Sequence, residues 1–181
     1  VYLHIGRCYE KMRNDQKAEE YYFRATHEDP QLGKAWITLA DFYYLRRKHD
    51  KALKYIQKLL FFEPNEPYYW RRYAELNYFE LGNIDEAEYG YRRAVQNGDY
   101  SYATLIEWID LMLLTEKYQD ALPIISDVVF IYPTELDNYY RIALTYYGLG
   151  DEANAEKYYQ LGVAKAPQWQ SFFESKFNFK M

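Results

Sequence analysis

A single cysteine in 181 residues excludes an internal disulfide. No apolar run approaches the roughly 20 residues that a membrane-spanning helix needs, although hydrophobic residues make up 49% of the chain. No secretory leader is visible, and Val1 already sits inside a helical pattern, so a fragment of a longer protein is expected. The residues of catalysis are scarce too. Ser101, Ser126, Ser171 and Ser175 lack a glycine-elbow setting. His4 and Cys8 stand four apart on one helix, too few ligands for a closed metal site. They read as an exposed histidine beside a helix-packing cysteine, with His27 and His49 far away in sequence. The pairs Asp85-Glu86 and Asp151-Glu152 recur at one location, where negative charge complements a helix N-terminus better than it serves acid–base chemistry. No enzyme, metal or cofactor is expected.

What the chain does have is a period. Ala18, Ala52, Ala87, Ala121 and Ala155 follow one another at intervals of 34, 35, 34 and 34 residues. Seven places beyond each stands a small or compact residue: Ala25, Leu59, Ala94, Val128 and Gly162. Seven residues are two helical turns, so both positions share one face and let a neighbouring helix approach closely. Pro30, Pro64, Pro133 and Pro167 close most of the units. A period of this length signals stacked repeats in which each unit touches only its neighbours.

The first half of each unit has its own signature. Trp36, Leu39, Ala40 and Tyr43 fall at helical spacing, and Tyr139, Ile142, Ala143 and Tyr146 copy them. Tyr2, Ile5, Gly6 and Tyr9 open the chain in the same way, and Leu81-Gly82-Asn83 and Leu149-Gly150-Asp151 supply turns between the halves. Each unit therefore reads as helix, tight turn, helix and a proline-marked turn. The pattern resembles the tetratricopeptide repeat family over about residues 1–167. The resemblance implies an all-α fold, a right-handed superhelical solenoid of five helix-turn-helix repeats at about 1–32, 33–66, 67–101, 102–135 and 136–167. Residues 168–181, with Trp169, Phe172, Phe173 and Phe177 at near-helical intervals, are expected to form a C-terminal capping helix.

Two units depart from the pattern. In the third, Trp70 and Ala74 count from Pro64, whereas Tyr78, Leu81 and Gly82 count from Ala87. One extra residue lies between Ala74 and Tyr78, and a bulge in the first helix is expected there. In the fourth, Trp108-Ile109 replaces the usual bulky-small pair, and Pro123 is assigned to the tolerant first turn of the second helix.

The net charge of -5 is unevenly spread. Residues 31–60 carry seven basic side chains against Asp41 and Asp50, and Arg47, Lys51, Lys54 and Lys58 are spaced to line one helix face. A nucleic-acid-binding solenoid would use that stripe on phosphates. No zinc knuckle, RNA-recognition signature or phosphate loop accompanies it, and a solvated outer face is the preferred account. Tyrosine is the other excess, with 23 residues and six doublets. Tyr22, Tyr43, Tyr146 and Tyr159 occupy inward positions of the repeat, while Tyr44 and Tyr147 lie one helical step, about 100°, away.

In the tetratricopeptide family the first helices line a concave groove, and this assigns the candidate site. Arg7 comes from the first repeat; Ile37, Asp41 and Tyr44 from the second; Tyr68, Arg71, Arg72 and Glu75 from the third. Ile106, Asp110, Leu113 and Leu114 follow from the fourth, and Tyr140, Arg141, Leu144 and Tyr147 from the fifth. Of the basic and amide set by which some members clamp a chaperone C-terminus, only Arg72 is matched, so that clamp is not expected. The mixture of aromatic, aliphatic and arginine residues suits a peptide or partner helix, with Arg71, Arg72 and Arg141 assigned to a partner's carboxylates. The function implied is a non-catalytic protein–protein interaction module. The alternatives are nucleic-acid binding through the basic second repeat, or a regulatory domain of a larger enzyme.

Overall fold

The computed structural model describes residues 1–169 and 171, and among them are ten α-helices and no strand. Two compact units are present, Val1–Asp99 and the chain from Tyr100 onward. The first holds α1 (Tyr2–Lys11), α2 (Asp15–Glu28), α3 (Gly33–Tyr44), α4 (His49–Phe62), α5 (Pro67–Glu75) and α6 (Ile84–Gln96). A π-helical segment, Leu76–Leu81, continues α5. The second unit holds α7 (Tyr102–Leu114), α8 (Tyr118–Ile131), α9 (Asp137–Gly148) and α10 (Glu152–Lys165), then a single 3-10 turn, Pro167–Trp169. The expected capping helix lies almost wholly outside the described residues.

Helices pack as successive hairpins: α1 with α2, α3 with α4 and α5 with α6 in the first unit, α7 with α8 and α9 with α10 in the second. The periodic alanines lie where the helices meet, Ala18, Ala87, Ala121 and Ala155 at 0% exposure and Ala52 at 1%. The turns within the hairpins repeat as faithfully. Arg13, Arg47, Gly82, Glu116 and Gly150 all have left-handed backbone, with φ between 55° and 77°. The amide after each closes a six-residue ring onto the first helix: Asn14 to Tyr9, Lys48 to Tyr43, Lys117 to Met112 and Asp151 to Tyr146, at 2.8–3.0 Å. Only Gly82 and Gly150 announce this conformation in the sequence, since glycine alone adopts it without strain.

The proline and the aromatic six places after it are also one device. The indole N–H of Trp36 donates to the Pro30 carbonyl at 2.8 Å, and that of Trp70 to Pro64 at 2.7 Å. The Tyr139 hydroxyl makes the same bond to Pro133 at 3.1 Å. Each bond satisfies a buried polar edge and fixes where the next hairpin begins. Inside the first unit aromatic rings fill the space between helices. Tyr43 stacks on Tyr55 at 5.4 Å, and Tyr22 meets Phe42 edge-on at 5.5 Å. Tyr22, Tyr43 and Tyr159 are buried as expected, whereas Tyr146 is only half-buried, stacked on Tyr158. The second unit is more aliphatic, with Ile109, Leu111, Met112, Ile125, Val128 and Ile142 sealed from solvent.

The inserted residue forms the π segment. Asn77, three places beyond Ala74, takes the buried place that Tyr43 holds three places beyond Ala40, and Tyr78 is displaced to half-burial. Asn77 is satisfied there: its amide donates to the Tyr73 carbonyl at 2.9 Å and accepts from Asn83 at 3.1 Å. The closing ring at this turn grows by one residue, Asn83 N–H to Asn77 carbonyl at 2.8 Å.

Three sequence expectations need correction. Pro123 is not in a first turn, because α8 begins at Tyr118 and the proline lies inside it. Its missing N–H leaves the Gln119 carbonyl without its usual donor. Arg47 is not on the face of α4 but in the left-handed turn before it. Cys8 is exposed rather than packed between helices.

Gly90 on α6 marks the closest approach in the α5–α6 hairpin. A Cβ there would stand 2.9 Å from the Ala74 Cβ and 3.0 Å from its backbone. Gly90→Ala should therefore destabilise the protein by about 1–3 kcal/mol through overpacking, despite alanine's advantage of ~1 kcal/mol within a helix; urea denaturation measures it. A second expectation concerns alkaline pH. The Tyr73 hydroxyl donates to Glu86 at 2.5 Å, and burial, followed by that hydrogen bond, pushes the phenol from 10 up to about 12. A raised phenol favours folding in its protonated form, so its stabilisation is complete below pH 10 and is lost as pH rises towards 12. Urea midpoints measured across that window should fall less steeply in Tyr73→Phe than in the parent.

Candidate functional site

The assigned residues of the first unit gather around one opening between α3, α4, α5 and the π segment. A pocket of ≈230 Å³ lies there. Its buried lining is apolar, from Ala40, Ala52, Ile56 and Leu76, and its exposed part is aromatic and charged, from Tyr44, Phe79, Asp41, Arg72 and Glu75. Ala40 and Ala52 are the small residues of the repeat, so the feature that lets helices approach also leaves room beneath the surface. Tyr68, on α5, is half-exposed, and Ile37 packs against the core of this unit. Arg7 is exposed on α1.

The arginines assigned to an incoming carboxylate already hold carboxylates of the chain. Arg72 donates to Asp41 at 3.0 Å and to Glu75 at 2.8 Å, and its guanidinium lies 5.4 Å from the centre of the Tyr44 ring. Arg71 pairs with the other Glu75 oxygen at 2.8 Å. Burial would lower the Arg72 pKa, but Asp41 and Glu75 hold it above its ordinary value. The π segment adds Glu80, which accepts from the Tyr44 hydroxyl at 3.0 Å and lies 3.4 Å from the His49 ring nitrogen. That hydrogen bond, then burial, pushes the Tyr44 phenol up. Glu80, His49 and Ile56 belong to this cluster beside Phe79, which the groove pattern of the third repeat already includes; the one-residue irregularity signals Glu80, whereas His49 and Ile56 come from α4 and carry no signal in the sequence.

The second unit repeats the ionic contact. Arg141 grips Asp110 with two parallel bonds, Nε to Oδ1 at 2.6 Å and Nη2 to Oδ2 at 2.9 Å. Arg72–Asp41 and Arg141–Asp110 share a separation of 31 residues, each joining the first helix of one hairpin to the first helix of the preceding one. On α7, Ile106 and Leu113 are half-buried and Leu114 is 62% exposed. Tyr140 and Leu144 pack against the Ala143–Tyr159 cluster, and Tyr147 is 43% exposed.

Outside this surface, Lys51, Lys54 and Lys58 are exposed along α4, with Lys51 over the Tyr43 ring and Lys58 over Trp36, 5.0 and 5.1 Å from the ring centres. Among the described residues no group of three or more His, Cys, Asp or Glu could hold a metal ion. No helix there is long and apolar enough to cross a membrane.

Tetratricopeptide repeat family models match residues 16–76 and 136–167, together about half of the chain. No curated protein matches it in sequence. Among solved structures, MamA aligns with a TM-score of 0.74 at 16% identity, over 99% of this chain and 95% of that one. YrrB, described as a TPR protein with an unusual peptide-binding site, aligns with a TM-score of 0.77 at 15% identity, over 97% and 91%. PilW, described as a widely conserved type IV pilus biogenesis factor, aligns with a TM-score of 0.60 at 15% identity, over 99% and 91%. At these identities the likeness is one of fold, an all-α helical solenoid. With two family matches, the period and the hairpins agreeing, the chain belongs to the tetratricopeptide repeat family. It is, in general terms, a protein–protein interaction module.

The Arg141–Asp110 pair makes a direct structural prediction. Asp110→Asn leaves a largely covered guanidinium with a neutral partner and should cost about 1–2 kcal/mol. A double-mutant cycle with Arg141→Met should recover part of that loss, and additive losses in thermal unfolding would show the pair to be uncoupled.

Proposed function

We propose that the chain binds a peptide or partner protein on the surface lined by its first helices and performs no catalysis of its own. The observation that carries this is the opening on the first helices of the first unit, where an apolar lining of Ala40, Ile56 and Leu76 lies beside Tyr44 and Phe79. Tyr68 in that unit is half-exposed, and in the second unit Leu114 and Tyr147 are 62% and 43% exposed. Second helices expose apolar residues too, Phe61 and Phe130 among them, so depth rather than exposure singles out the first-helix surface. Tyrosine and leucine flanked by ordered charges provide the anchors and polar rim of a recognition site. YrrB, of like fold, is described as having a peptide-binding site, which supports peptide as the class of ligand.

The internal ion pairs refine the recognition chemistry. Arg72 and Arg141 serve as braces between neighbouring first helices, so a partner's carboxylate is not their main ligand. Apolar anchoring leads, and charge acts at the edges.

Panning a random dodecapeptide display library against the full chain tests the proposal. Enriched peptides should lose at least tenfold in affinity for a variant carrying Tyr68→Ser, Leu114→Asp and Tyr147→Ser, while its helicity and melting temperature stay near the parent's. Equal binding to parent and variant would place recognition elsewhere, and a library that yields no binder would overturn it.

A further inference from the structure

The pocket beside the π segment differs from the rest of the first-helix surface in having depth. At ≈230 Å³ it lies below the roughly 300–1,000 Å³ of sites for drug-sized molecules. Its size and its buried lining of Ala40, Ala52, Ile56 and Leu76 suit one large apolar side chain. Tyr44 and Phe79 provide aromatic surface at its mouth, and Phe79 is 61% exposed, with no role in the core to account for it.

The π segment accounts for the shape. One extra residue per turn widens the helix and rotates the side chains beyond it. Leu76 and Asn77 turn inward to 3% and 0% exposure, while Phe79 and Glu80 emerge on the open side. π-Bulges recur at functional sites because they re-aim side chains in this way.

Charge then selects the neighbour of that side chain. Two carboxylates, Asp41 and Glu75, and one guanidinium, Arg72, line this opening, and beyond them Arg71 pairs with Glu75 while Glu80 meets the Tyr44 hydroxyl and His49. Both guanidiniums are committed, Arg72 to Asp41 and Glu75 and Arg71 to Glu75. Asp41 gives one oxygen to Arg72, and its side chain remains 46% exposed. An arriving anion would have to displace one of these bonds; an arriving cation meets a carboxylate with an oxygen to offer.

We infer that this pocket is a specificity site for a peptide carrying a large apolar residue with lysine or arginine beside it, the apolar side chain entering between Tyr44 and Phe79 and the cation meeting Asp41. The inference rests on the proposal that first helices bind peptide, and it names the class of peptide.

Synthetic dodecapeptides taken from the library selection test it, measured by fluorescence anisotropy against the full chain. The enriched sequences should share a Leu, Met or Phe with Lys or Arg within two positions. Replacing that basic residue by Glu should weaken binding at least tenfold, and replacing the apolar one by Ser at least as much. On the protein, Phe79→Ala on the surface and Ala40→Leu inside the pocket should each weaken binding tenfold or more. Phe79→Ala keeps the test decisive if Ala40→Leu perturbs folding. Peptides that bind the parent but respond less than twofold to Phe79→Ala would overturn the pocket while leaving the first-helix surface intact. Enrichment of acidic residues beside the anchor would overturn the charge assignment. A library without binders would overturn both.

Discussion

Everything in this molecule depends on how closely two helices can approach at an alanine. The periodic positions are sealed, at 0–1% exposure, because the helices meet there. Close approach brings backbone and large side chains into dense contact, and dense contact is where dispersion and apolar burial accumulate. In the first unit aromatic residues then fill the wider gaps beside each crossing, and in the second unit aliphatic side chains do most of this. Without the small residues the rings would have no walls to pack against. Without the rings the crossings would be too sparse to hold a chain whose contacts are mostly between neighbours.

A framework so repetitive has little tolerance for an extra residue, and the third hairpin shows how one is absorbed. The π segment confines the disturbance to a single turn, because Asn77 bonds to both the turn before it and the turn after it. The helices on either side keep their register, and Ala87 still falls at its buried place. The cost of an irregular turn is offset locally, and the gain is a surface that differs from that of the other hairpins. The braces Arg72–Asp41 and Arg141–Asp110 work the other way, making two hairpin contacts more alike than the surrounding sequence suggests.

The fold was largely legible in the residues because its determinants recur. Five alanines at near-constant spacing, prolines with an aromatic six places on, and glycine turns all state the same unit. The left-handed turns at Arg13, Arg47 and Glu116 were not legible, since no side chain there favours the conformation; the surrounding hairpin imposes it. The extra residue near Ala74 was visible by counting, and its form as a π turn comes from keeping both flanking registers. The site was legible only as a set of positions. Which arginines stand available and which are already paired depends on distances between successive hairpins, and spacing along the chain does not encode those. Cys8 and Pro123 show the same limit, because exposure and helix boundaries are settled by packing rather than by residue type.

Pro123 has one more implication, in terms of dynamics. An α-helix resists opening because each amide bond must break together with its neighbours. In α8 the chain of bonds is interrupted where the Gln119 carbonyl finds no amide. The first turn, from Tyr118, is therefore held to the rest of α8 by fewer helical bonds, and its place depends on packing: Ala121 is sealed at 0% exposure and the Tyr118 ring lies against Gly148 of α9. In α8 tertiary contact thus does what backbone bonding does elsewhere, and loosening the α8–α9 contact would free this turn before Ile125 and Val128.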